Sequence, residues 1–436
     1  MRERLEQLFS DFYARDLPDL TPRNAYYPVL PHKATVVMGM RRTGKTWFCY
    51  QKMRDLLASG TDKSRLLYIN FEDDRLLGFA VSDFQTILDL YYARFPENKE
   101  CLCHFFFDEI QAVEGWERFI RRLIDTEKVQ ITLTGSSSKL LSSEIATSLR
   151  GRTAACELFP FSFEEYLNAA GILAQVPRHL TSTHIAKIRK GVKEYFRHGG
   201  FPETVGYSDR DRTETLQSYI DAVLFRDVVE RYGVSNILLL RHLIQAILNT
   251  PSQKFSVNRF YNTMQCKGVR GSKNELYQYI EYLTDAYFLF PVPIHTESER
   301  VRQTNPDKIY VIDTGILNSI QYNRGKNIGA ILENLVFNHL RRSQVRTEYV
   351  DTRGCEVDFL ATGRDGEKTL IQVSYDLAGK ETEKREIRAL ESAGKALKIE
   401  NRLIVTWDDE RELGSGIRTS TQLNLHLDIC SCLIYI

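Results

Sequence analysis

The chain has 436 residues, 43% of them apolar and 26% charged, which suits a soluble protein of roughly two to four domains rather than one core. Its 58 Lys and Arg balance 57 Asp and Glu, so the net charge of +1 excludes a uniformly basic nucleic-acid binder and leaves only local basic patches. No stretch approaches the roughly 20 apolar residues of a membrane span, the opening "MRERLEQLFSDFYARDL" is charged where a signal peptide is apolar, and the eight cysteines lack zinc or disulfide spacing, so a cytoplasmic protein is expected.

Residues 1–33 read as a helix and a proline-bearing lead-in. From residue 34, short apolar strands alternate with helical stretches: "ATVVM" (34–38), a helix over 46–58, "RLLYINFE" (65–72), "FQTILDLYYARF" (84–95), "CHFFFDE" (103–109), "WERFIRRLI" (116–124) and "VQITLTGS" (129–136). This alternation predicts an α/β fold with a parallel sheet covered on both faces, over residues 34–160. Residues 161–235 read as mostly helical, broken at "HGGFPET" (198–204). Residues 236–325 read as three helices, then strands "PVPIHT" (291–296) and "IYVID" (309–313) around a charged tip, the outline of a winged helix-turn-helix. Residues 326–436 read as a small α/β module: a helix over 328–342, strands "TEYVDT" (347–352), "EVDFLAT" (356–362) and "TLIQVSY" (369–375), a helix over 381–394 and strand "NRLIVTW" (401–407).

"GMRRTGKT", Gly39 to Thr46, fits G-x-x-x-x-G-K-[ST] and stands where that pattern has physical meaning, between a strand and a helix. Backbone N–H groups of such a loop cradle phosphate oxygens at the helix N-terminus, and Gly39 and Gly44 allow the close approach. With Arg42 and Thr43 they make an ATP-binding loop in which Lys45 reaches the β- and γ-phosphates and the Thr46 hydroxyl takes Mg²⁺; Arg41 and Arg42 add positive charge. "FFFDEIQ" ends a strand on two carboxylates. Asp108 suits the Mg²⁺ shell, and Glu109 suits a group that polarises the attacking water. Thr134, Ser136 and Ser137 emerge at the same edge, either as γ-phosphate sensors or as a helix cap.

Lys267, Arg270, Lys273 and Asn274 cluster at the start of the expected recognition helix, with Tyr277 and Tyr279 along it and Arg300 and Arg302 on the expected wing. Lys and Arg without a row of Asn and Gln suit contacts to the backbone of duplex or branched DNA, although charged helix ends also serve solvation, packing or oligomerisation. In the last module, "EVDFL" (356–360) and "IQVSY" (371–375) have the layout of a metal-dependent nuclease strand pair. Gln372 stands at the glutamate position and Ser374 at the lysine position.

The runs "TGSSSKLLSSEIATSLRGR" (134–152), "LFPFSFEEYL" (158–167), "HGGFPETV" (198–205) and "FRDVVERYG" (225–233), taken with the glycine loop and "FFFDEIQ", carry a resemblance. The chain resembles bacterial and archaeal AAA-type ATPases related to the STAND class. In these a P-loop core and helical lid precede a winged helix and a restriction-endonuclease-like domain. The resemblance implies domains over 34–160, 161–235, 236–325 and 326–436, and homo-oligomeric assembly. It implies that Arg150 or Arg152 stabilises γ-phosphate charge and that Gly200, Phe201 and Pro202 lie over adenine. It also places the nuclease centre at Glu333, Asp358, Gln372 and Ser374, with Glu356 nearby. That centre is expected to be catalytically degenerate, because Ser374 offers no ammonium and Lys368 and Lys380 lie too far along the chain. The leading expectation is an ATP-hydrolysing, DNA-engaging protein; an ATP-gated switch with a protein partner and an ATP-regulated nuclease are the alternatives.

Overall fold

Five parallel strands organise the N-terminal part: β1 (Ala34–Met38), β2 (Leu66–Asn70), β3 (Cys103–Asp108), β4 (Val129–Gly135) and β5 (Thr153–Glu157), in the order β2-β3-β4-β1-β5. The computed structural model describes residues 1–135, 149, 151–177, 179–320, 327–352, 355–408, 412–413 and 417–421. The chain divides into two compact units, residues 1–159 with 285–287 and residues 160–284 with 288–436. The three domains expected after residue 160 therefore fall in one unit. No helix among the described residues is long and apolar enough to cross a membrane.

The strands of the first unit are continuously apolar because both faces of the sheet are covered. Adjacent side chains on a strand point to opposite faces. Phe106 packs with Phe12, Cys49, Met53 and Tyr68 on one side, whereas Phe107 turns to the other, 6.1 Å from the ring of Phe119 in helix Trp116–Thr126. Strand β5 had no counterpart among the expected elements. "TAACE" carries little apolar signal, and it is a strand because it pairs along all of β1, from Ala34↔Thr153 to Met38↔Glu157. The order places the C-terminal ends of β1, β3 and β4 side by side, and the sheet reverses direction of growth at β1, where open α/β sheets put their ligands.

The second unit begins with helices Phe163–Ala169, Ser182–His198 and Asp209–Ala222, the last continuing as π-helix through Glu230. Helices Ile237–Asn249, Val257–Cys266 and Lys273–Asp285 follow, then the antiparallel pair β6 (Leu289–Val292) and β7 (Lys308–Val311). The charged tip between these strands is helical over Glu299–Thr304, and the Ser298 hydroxyl accepts from Val301 N at 3.4 Å to cap it. Helices Thr314–Ile320 and Ile328–Arg342 lead into a six-stranded sheet of β8 (Arg346–Thr352), β9 (Cys355–Thr362), β10 (Lys368–Val373), β11 (Arg402–Thr406), β12 (Glu412–Leu413) and β13 (Ile417–Thr421), ordered β12-β13-β11-β10-β9-β8. Helix Lys380–Leu397 covers it through Ala389, Leu390 and Ala393.

Inside the second unit, Asp313 is buried and accepts from the backbone N–H groups of Gly200 and Gly315, each at 2.8 Å. Burial raises its carboxyl to about 6, against the pull of those two donors. A folded-state value above the unfolded one means that the native state takes up the proton first, so this group adds stability as the pH falls from above 6 toward 4. The melting temperature of Asp313→Asn is therefore expected to lose that increment. Its difference from wild type should shift between pH 7 and pH 4.5, and parallel pH profiles would refute the assignment.

Candidate nucleotide site

The loop from Gly39 to Thr46 leaves β1 and enters helix Lys45–Ala58. The sheet dictates glycine at position 39: a Cβ there would lie 2.1 Å from the Leu158 carbonyl oxygen, on backbone tied to β1 by the Leu158 N–H to Met38 O bond of 2.6 Å. Gly44 takes φ +92° and Arg42 φ +70°, the left-handed turns that fold the loop back over the helix N-terminus. The loop is also braced from a segment that the sequence marks only as a lead-in. Buried Arg23 donates to Thr43 O at 2.8 Å and Phe159 O at 2.6 Å, while its backbone exchanges two bonds with Gln51. No local pattern around Arg23 announces this.

Lys45 is buried, and its ammonium donates to the Gly39 and Met40 carbonyls at 3.1 and 3.2 Å, folded onto the loop it would serve. The Thr46 hydroxyl donates to Asp108 Oδ2 at 2.8 Å. Tyr68 donates to the same oxygen at 2.8 Å, and Thr134 to Asp108 Oδ1. Burial pushes the Asp108 carboxyl up, opposed by the Thr134 and Thr46 hydroxyls. A hydroxyl and a carboxylate oxygen this close form a donor set that fits Mg²⁺, a hard ion that takes oxygen ligands. Glu109 follows at φ +51°, an uncommon angle for a residue with a side chain, and its N–H donates to Thr134 Oγ1 at 3.1 Å. Its carboxylate accepts from Gln111 Nε2. The two neighbouring acids are thus separated: Glu109 meets Gln111, while Asp108 meets Thr46 of the loop helix.

The other expected site residues are placed as follows. Ser136 and Arg150 lie outside the described residues. Arg152 precedes β5, and because β5 runs parallel to β1 it sits at the edge where β1 begins, opposite the glycine loop. There it pairs with Asp125 of helix Trp116–Thr126, so within one chain it is a surface ion pair and not part of the phosphate site. Gly200 and Pro202 belong to the second unit. Gly200 is required there by packing, since a Cβ would meet Phe161 O at 2.4 Å, and Pro202 opens the short helical turn Pro202–Thr204.

Lys267, Arg270, Lys273 and Asn274 are all exposed around the start of helix Lys273–Asp285, which Ser272 and Glu275 close with a reciprocal capping box. Tyr277 is exposed and Tyr279 buried. Arg300 is exposed on the tip helix. Arg302 points back into its own unit, donating to Glu348 Oε1 at 3.2 Å and Thr296 O at 3.3 Å. The cluster at 267–274 is thus available to a polyanion, while Arg302 is committed.

In the last module, Glu333 and Asp358 are brought together with Gln372 as expected, but so is a residue the sequence did not flag. Lys308 of β7 extends its ammonium to Glu333 Oε1 (3.0 Å), Glu356 Oε1 (2.8 Å) and Asp358 Oδ1 (2.8 Å). Burial opposes its charge, but Asp358, Glu333 and Glu356 override that and hold it well above the ordinary lysine value. Lys254 bridges Glu356 and Asp351, each at 2.8 Å. Ser374 is nine-tenths buried and donates to Asp376 O at 3.2 Å.

Residues 31–167 match an AAA domain, and residues 189–327 match a domain of unknown function, DUF8612. The uncharacterized protein MJ1544 of Methanocaldococcus jannaschii is 39% identical over 397 residues, covering 89% of this chain and 85% of that protein. An uncharacterized protein of Haemophilus influenzae is 29% identical over 343 residues, 78% of this chain and 82% of that protein. Among solved structures, the Aeropyrum pernix ORC1 protein in complex with DNA aligns over 73% of this chain and 91% of its own at 14% identity, with a TM-score of 0.28. That score is too low to bear on function.

Proposed function

This chain belongs to the family of Methanocaldococcus jannaschii MJ1544 and carries an AAA domain, and from that premise we propose that it binds and hydrolyses ATP and couples this to engagement of DNA. The observation that supports the ATP reading best is the cluster at the ends of β1, β3 and β4: Lys45 on a glycine loop, and Thr46 within 2.8 Å of Asp108. In this reading the loop N–H groups and the Lys45 ammonium bind the β- and γ-phosphates, the ammonium leaving the Gly39 and Met40 carbonyls to do so. Thr46 and Asp108 would hold Mg²⁺, which supplies positive charge at the phosphate oxygens. Glu109 orients a water and accepts its proton as the water oxygen bonds to the γ-phosphorus. The bond from that phosphorus to the bridging oxygen breaks, and ADP and phosphate leave. Thr134 fixes this geometry by donating to the Asp108 carboxylate and accepting from the Glu109 backbone N–H. In a homo-oligomer Arg152 would act only toward a neighbouring copy.

DNA engagement is supported by the exposed cluster of Lys267, Arg270 and Lys273 at a helix start. ATP turnover measured against duplex, forked and four-way DNA is expected to rise with at least one of them. Replacing all three cations by alanine should weaken binding and reduce the slope of log affinity against log salt by about 3. If labelled DNA shows no binding even at low salt, the DNA reading fails and an ATP-gated switch with a protein partner replaces it.

A further inference from the structure

We propose that the Lys308 ammonium is the resident cation of the Glu333–Glu356–Asp358 centre and fills the seat that a divalent ion takes in metal-dependent nucleases, so that this centre binds no metal and cleaves no phosphodiester. The inference rests on neither ATP binding nor DNA binding. A lysine ammonium has three N–H donors, and here three carboxylates stand 2.8 to 3.0 Å from it, one for each. It is 3% exposed and comes from β7, not from the nuclease strand β10.

Other ligand atoms of the centre are committed as well. Asp358 Oδ2 accepts from Val373 N at 2.9 Å. Gln372 Oε1, the one atom that could replace a glutamate oxygen on a metal, accepts from Asp358 N at 3.2 Å. Glu356 Oε2 is held by Lys254 at 2.8 Å, and Glu333 Oε1 also accepts from Tyr310 OH at 2.6 Å. A divalent ion entering here would have to expel a buried ammonium from all its partners or sit beside its charge, and either course is unfavourable. The lysine missing at Ser374 has thus not been replaced in its catalytic position. A lysine has been supplied in the metal's.

Mn²⁺ binding, followed by electron paramagnetic resonance without nucleotide, tests this in the full chain carrying Asp108→Asn, which removes the carboxylate expected to bind metal at the glycine loop. With Lys308 intact, no Mn²⁺ is expected at the C-terminal centre. Adding Lys308→Met leaves three carboxylates facing one another, and a Mn²⁺ site at least about tenfold tighter than any in the parent should appear, with a melting temperature that now rises with Mn²⁺. Asp358→Asn should remove that new site. Mn²⁺ bound to the Lys308-intact chain and lost on Asp358→Asn would overturn the proposal, as would a folded Lys308→Met protein with no gain in Mn²⁺ affinity. Should Lys308→Met fold only with Mn²⁺ present, the proposal stands; should it not fold at all, the Lys308-intact titration and its Asp358→Asn control decide alone.

Discussion

Lys45→Ala is expected to lower ATP turnover by about 10²–10³-fold or more and to weaken nucleotide binding, because it removes an ammonium from the glycine loop. The side chain is already desolvated, and it donates to the Gly39 and Met40 carbonyls. Moving to phosphate oxygens exchanges two neutral acceptors for charged ones, which is favourable in a site shielded from water. The variant should keep its fold, since Arg23 braces the loop at the Thr43 carbonyl independently of the lysine. Phosphate release and titration with a fluorescent ATP analogue report the two effects separately. Turnover within a fewfold of wild type would remove Lys45 from the chemistry.

Glu109→Gln is expected to separate binding from hydrolysis: near wild-type ATP affinity, with turnover reduced by about 10²–10⁴-fold. The substitution preserves shape, and the backbone bond from residue 109 N–H to Thr134 Oγ1 does not depend on the side chain. What it removes is the basic oxygen that accepts the water proton. The left-handed turn at 109 makes this assignment specific, since strain of that kind persists where the surrounding structure fixes the direction of a side chain. Equal losses in affinity and turnover would instead mean that Glu109 only supports the loop.

The sheet and its site were legible to the extent that their signals were local. Strands β1 to β4 announce themselves as continuous apolar runs, and the glycine loop and "FFFDE" lie at the ends of two of them. Strand β5 did not, because "TAACE" becomes a strand only by pairing with β1, more than a hundred residues earlier. Tyr68 reads as one more core residue of β2, and nothing in its neighbourhood says that its hydroxyl will reach Asp108, 40 residues away. Lys308 was invisible for the same reason: its acids lie 25 to 50 residues further on, on two other elements. Arg302 was misread because its charge was taken as surface, whereas Glu348 draws it inward. Periodicity reports burial along one segment; it carries no information about which distant side chains a buried charge will meet.

The brace that Arg23 places under the glycine loop bears on where the catalytic unit can be cut out. The AAA match begins at residue 31, yet Arg23 and the helix that buries Leu5, Phe9 and Phe12 lie before it. A fragment trimmed to the family boundary would leave the Thr43 and Phe159 carbonyls without their donor and strip an apolar face from the sheet. Such a piece would keep every motif residue and lose the means of holding them in register, so the smallest autonomous form of this AAA core starts at the first helix.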